Sequence, residues 1–245
     1  MKRVEARFGA ISTALMLACS DVQTSLQDAG AAEEHTSGGR NCSPTNMTTG
    51  SPETINDLLE LVNGLPHPVE LPCLIESLDR PIAINSNFNT QSAQPAMGRR
   101  SPRIFIITSE SFAMSLVPGG QSTLEFGERS ADGLTSVKGE LHFPIEGPLN
   151  PEDAFARLAP DEATGLTLDQ ATKCGVCHDH ERRAPDYPSR GAFASAVLRP
   201  APFFAVELAA IKREHDACDS EMEPQRCSEL QAIFERGEVV QAGFP

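Results

Sequence analysis

The sequence predicts an α+β chain of several parts: an N-terminal antiparallel β-sandwich or partly closed barrel, followed by a small all-α domain. Three observations predict it. Between about residues 68 and 147, apolar residues recur with a period of two, as in half-buried strands. Beyond about residue 165 they recur at helical spacing. Between these regions lies GPLNPEDAFARLAPDEATG, residues 147–165, a connection punctuated by proline.

The chain opens with Lys2, Arg3 and Arg7, then runs apolar from about Phe8 to Ala18. That run is too short to span a bilayer and has the layout of an export signal over residues 1–18. Its end, Met16-Leu17-Ala18-Cys19-Ser20, resembles a bacterial lipoprotein signal. The resemblance implies cleavage before Cys19 and lipid attachment to it, and two or three acyl chains on one residue anchor a protein stably. Residues 19–50 are rich in Ser, Thr, Gly, Ala and Asn with little to bury, and read as a flexible tether.

Residues 51–150 form the expected β-rich domain with a short leading helix. Ser51-Pro52-Glu53 has the form of a helix start with Ser51 as cap, and Ile55, Leu58, Leu59 and Val62 follow on one face before Gly64-Leu65-Pro66. Expected strands are VELPCLIESL, RIFIITS, FAMSLV, STLEFG and SVKGELHFPI. In the last, Val137, Gly139, Leu141, Phe143 and Ile145 share one parity. Lys138, Glu140 and His142 take the other, read as solvated. Residues 160–245 form the expected helical domain. Thr167 and Gln170 have capping-box spacing ahead of Cys174. A helix over about 203–217 presents Phe204, Leu208, Ile211 and His215, and a last one over about 227–236 carries Leu230, Ile233 and Phe234.

Composition narrows the function. Twenty basic against 34 acidic residues give a formal charge of -14, which argues against a nucleic-acid backbone binder. Tryptophan is absent and Tyr187 is the single tyrosine, so a base-stacking platform is not expected. No carboxylate pair or Ser-His-Asp order in residues 50–150 points to hydrolysis, and no small-molecule substrate is indicated. Of seven cysteines, Cys19 is assigned to lipid and Cys174 with Cys177 to a C-x-x-C pair. The even remainder in an exported chain predicts two disulfides, with Cys42–Cys73 and Cys218–Cys227 as nearest-neighbour pairings.

Cys174-Gly175-Val176-Cys177-His178 is open to three chemistries. A redox dithiol needs the pair at a helix N-terminus in an α/β setting, which the surrounding pattern lacks. Zinc needs four spaced ligands, and Cys174, Cys177, His178 and His180 crowd together. Covalent haem fits the spacing, because two thiols add across the two vinyl groups of one porphyrin and the next residue offers an imidazole to iron.

Residues 165–240 thus resemble a monohaem c-type cytochrome domain, on the strength of the CGVCH motif and its flanking helices. The resemblance implies one covalent haem c held by Cys174 and Cys177, with His178 as proximal ligand. It also implies a distal methionine late in the domain, for which Met222 is placed; His215, on the inward stripe of its helix, is the competing distal candidate. Arg182 and Arg183 are candidates for pairing with haem propionates. The expected function is one-electron transfer by an envelope-anchored cytochrome, on the periplasmic side of the outer membrane or at the cell surface, serving a redox partner protein. The alternatives are a haem-based sensor or weak peroxidase with an open distal position, and a haem-free lipoprotein whose C-x-x-C is a zinc or disulfide staple.

Overall fold

The computed structural model describes Cys42 and residues 49–90, 94–184, 186–187 and 189–244. The expected signal, Cys19 and most of the tether lie outside these residues.

The first helix, α1 (Ile55–Asn63), starts three residues later than Ser51-Pro52 suggested. Thr54 is the cap, its hydroxyl accepting from the Asp57 N–H at 3.1 Å. Ile55, Leu58, Leu59, Leu61 and Val62 are buried. The next segment, expected as a strand, is a second helix, α2 (Leu71–Glu76). Pro72 sits in its first turn, where a missing N–H costs nothing, and Leu71, Cys73, Leu74 and Ile75 all turn inward. So continuous an apolar run does not alternate as a half-solvated strand would.

Five strands then form an antiparallel meander: β1 (Ile82–Asn87), β2 (Arg103–Ile107), β3 (Phe112–Leu116), β4 (Thr123–Arg129) and β5 (Thr135–His142). The C-terminal part adds β6 (Arg182–Arg183), β7 (Phe193–Ala196), the helices α3 (Leu208–Asp216) and α4 (Pro224–Phe234), and β8 (Val239–Gln241). Among the described residues there is a single open sheet of eight strands, ordered β6-β7-β5-β4-β3-β2-β1-β8.

This differs from the expected sandwich or barrel and from an all-α C-terminal domain. The sheet continues across the boundary expected near residues 150–160. β7 pairs antiparallel with β5 at one edge, and β8 pairs parallel with β1 at the other. Edge strands expose unpaired N–H and C=O groups, and the C-terminal residues pair both edges of the meander. Helical periodicity after residue 165 is real at α3 and α4. Ahead of Cys174, however, the Thr167 and Gln170 pairing closes only a turn, with the Thr167 N–H 2.9 Å from Gln170 Oε1.

One sheet face makes the core. Ile84, Ile104, Ile106, Met114, Leu116, Leu124, Phe126, Val137 and Leu141 are buried in one cluster with side chains of α1, α2, α3 and α4. Two disulfides, Cys42–Cys73 and Cys218–Cys227, form as paired by sequence order. No described helix is long and apolar enough to cross a membrane.

Candidate functional site

The second sheet face carries Arg103 and Phe105 of β2, Ala113 and Ser115 of β3, Glu125 and Gly127 of β4, and Ser136, Lys138 and Glu140 of β5. These side chains are not solvated as sequence parity suggested. Residues 173–178 lie over the β5 side. The segment Val197–Ala201 crosses from the end of β7 toward the end of β1, where Asn87 Nδ2 donates to the Ala201 carbonyl at 2.9 Å. Between face and cover is a cavity of about 370 Å³, lined among others by Cys174, Cys177, His178, Lys138 and Phe105. Phe244 meets Phe105 edge to face at 5.1 Å at its margin.

The Cys-Gly-Val-Cys-His segment is held by a local lattice. Lys173–Val176 forms a 3-10 turn capped by Thr172, whose hydroxyl accepts from the Cys174 N–H at 3.2 Å. The carboxylate of Glu181 takes the Thr172 N–H at 2.9 Å and the Thr172 hydroxyl proton. A Cβ on Gly175 would sit 2.9 Å from Glu181 Oε2, so glycine is what lets the carboxylate close on the turn. The Cys177 and His178 N–H groups both return to the Cys174 carbonyl, at 3.1 and 2.9 Å. Both cysteines, outside any disulfide, and the histidine that follows therefore line one cavity.

The state of His178 follows from one contact. Its Nδ1 lies 2.9 Å from the Ala196 carbonyl oxygen at the end of β7. A carbonyl only accepts, so Nδ1 carries the proton and, in the neutral ring, Nε2 is bare. Burial foremost, with the Lys138 ammonium adding to it, holds the imidazole below its usual value and favours that neutral form. The Cys174 thiol is pushed up by burial, which makes it a poor free nucleophile and speaks against an activated dithiol.

Charged groups surround this centre. Arg103 is buried, donating to Ser115 Oγ at 2.8 Å and to the Gln94 carbonyl at 3.1 Å while pairing with Glu125. Glu140 pairs with Lys173 at 2.9 Å and with His142, so the His142 ring is bonded to a carboxylate rather than left to solvent alone. Lys138 is lowered to about 8 by burial. Its Nζ reaches Ser136 Oγ at 3.0 Å, Ser195 Oγ at 2.9 Å and the Ala196 carbonyl at 3.4 Å. No three described His, Cys, Asp or Glu side chains gather as ligands to a metal ion.

Other residues singled out by sequence lie elsewhere. Met222 is 78% exposed, in the loop between α3 and α4. His215 packs on the Phe234 ring at 5.4 Å and bonds Asp216 at 2.9 Å. Neither is brought to the cavity, because the stripe carrying His215 turns toward α4 and away from the CGVCH turn. Met114 is buried on the core face of the sheet. Arg182 and Arg183 stand on β6, the first 3.6 Å from Asp132 and the second bonded to the Asp169 carbonyl and stacked over Phe193. Among the arginines, Arg103, Arg129 and Arg199 line the cavity instead.

Comparison with protein-family models, curated proteins and solved structures returns no match for this chain.

Proposed function

We propose that the chain is a c-type cytochrome of the cell envelope, carrying one covalent haem and passing single electrons to a redox partner protein. The observation that carries this reading is that Cys174, Cys177 and His178, whose Nε2 is left bare by the Nδ1 bond to Ala196, all line one cavity. In such a site Cys174 and Cys177 would hold the porphyrin by thioethers, and His178 would be the iron's protein ligand. Its Nδ1–H bond to Ala196 fixes the ring as second contacts of a metal ligand do. When bound, the haem supplies reversible one-electron iron chemistry. Phe105 and Phe244 offer the cavity apolar contact, and Arg129 and Arg199, which line it, are the candidates for meeting propionates in place of Arg182 and Arg183. The cytochrome-like chemistry would then sit on a β-meander rather than inside a helical bundle.

Export is favoured by the signal-like N-terminus and by two disulfides, which persist in oxidising compartments. Anchoring through Cys19 belongs to the same reading. The test is a pyridine haemochrome spectrum of protein matured in a host that exports it and attaches haem. A c-type α band is expected, lost in the Cys174→Ala, Cys177→Ala double variant; its absence from the wild type overturns the proposal.

A second reading has its own observation. With Met222 exposed and His215 packed on Phe234, the iron's other side would be open to an exchangeable ligand, as in a sensor or weak peroxidase. Carbon monoxide added to the ferrous protein separates the two: a shifted Soret band favours ligand binding, and an unchanged band favours a closed electron carrier.

A further inference from the structure

We propose that Lys138 is a positioning residue that sets the reduction potential of the site, through the backbone carbonyl it shares with His178. The inference rests on the haem reading above and concerns how that site is tuned.

Lys138 projects from β5 onto the cavity face, where an exposed lysine would ordinarily reach for water or a carboxylate. Here its ammonium is held by five neutral oxygens: the hydroxyl and carbonyl of Ser136, the hydroxyl and carbonyl of Ser195, and the carbonyl of Ala196. No described carboxylate is within ion-pair distance of it, although Glu110, Glu125 and Glu140 line the same cavity. The positive charge is thus fixed in place and uncompensated by direct contact, in surroundings that screen it less than water does.

Two effects follow, and they share a sign. A fixed positive charge disfavours the more positive ferric state relative to the ferrous one. The second effect runs through Ala196, whose oxygen accepts from His178 Nδ1 at 2.9 Å and from Lys138 Nζ at 3.4 Å. A carbonyl shared with an ammonium accepts less strongly from imidazole. His178 then keeps more of its own proton and donates less electron density to ferric iron. Both effects raise the reduction potential. Ser136 and Ser195 serve this arrangement by holding the ammonium from two strands, β5 and β7.

The experiment is a spectroelectrochemical titration of the matured full-length protein at mildly acid pH, where the lysine is charged. Lys138→Met should lower the midpoint so that the ferrous-to-ferric ratio at fixed potential falls about tenfold, or about 59 mV for one electron. Lys138→Arg, which keeps the charge, should stay near the wild type. Should Lys138→Met not mature, Lys138→Gln, one atom shorter, keeps polar N–H donors but not the charge, and should show the same fall. A neutral variant with covalent haem and a wild-type midpoint overturns the inference and leaves the haem reading standing. Absence of covalent haem in the wild type itself overturns both.

Discussion

Glu181 shows how much one side chain can organise. It lies beyond the CGVCH motif in sequence, yet its carboxylate receives both the N–H and the hydroxyl of Thr172 and rests against Gly175. Thr172 in turn caps the turn that presents Cys174. Removing the carboxylate leaves the Thr172 N–H unpaired in a buried position. Glu181→Ala should therefore cost about 1–3 kcal/mol, measured as a lowered urea midpoint, with Glu181→Gln recovering part of it. A midpoint equal to the wild type would show that the carboxylate does not brace the turn. The nearness of two thiols and an imidazole was readable, because Cys174, Cys177 and His178 lie within five residues of chain. The tautomer of His178 was not, because it depends on a carbonyl eighteen residues away in sequence.

At the level of elements, β5 carries two faces with different duties. Its inward face packs Val137 and Leu141 into the core, and between them Gly139 makes room for Phe126 of β4. A Cβ at Gly139 would lie 2.2 Å from Phe126 Cε2 and 2.8 Å from the Ala154 carbonyl. Gly139→Ala should overpack this contact and lower stability by about 1–3 kcal/mol in thermal unfolding. Its outward face was legible as polar, and Lys138 and Glu140 were assigned to it correctly by parity. Burial of that face was not legible, because its cover comes from residues 173–178 and 197–201, far along the chain. The same limit explains α2: VELPCLIESL carries β-branched and apolar residues suited to either state, and a burial that leaves almost none of it exposed selected the helix.

Across the whole described body, α4 fastens the C-terminal region to the meander. Arg226 donates to the Arg100 carbonyl at 2.7 Å and pairs with Glu214, and Glu229 accepts the Gly119 N–H at 2.8 Å in the turn between β3 and β4. Burial pushes the Glu229 carboxyl up to about 7, despite bonds from Gln225 and Gly119 that favour its charge. In the unfolded chain it titrates near the ordinary carboxylate range of about 4.3. Its folded pKa is raised, so its contribution is fully present below that range and is lost as pH rises through about 7. Wild-type stability should consequently decline between about pH 5 and about pH 8 relative to Glu229→Gln, by as much as a few kcal/mol. Urea midpoints that move in parallel for both proteins across that range would overturn this.

What the sequence determined by itself is local chemistry. It marked the two disulfide pairings found in the fold, the amphipathic α1, α3 and α4, most strands of the meander, and the closeness in chain of Cys174, Cys177 and His178. Each depends on residues close in the chain, or on simple counting. Only the tertiary structure decided that the two halves share one sheet, that Met222 and His215 lie away from the CGVCH cavity, and that Lys138 and Glu140 lie under cover. The reason is physical. Strand pairing at the two edges and burial of the second face arise from contacts between segments separated by tens of residues, and hydrophobic period reports which face of an element is apolar but not what comes to lie across the other one.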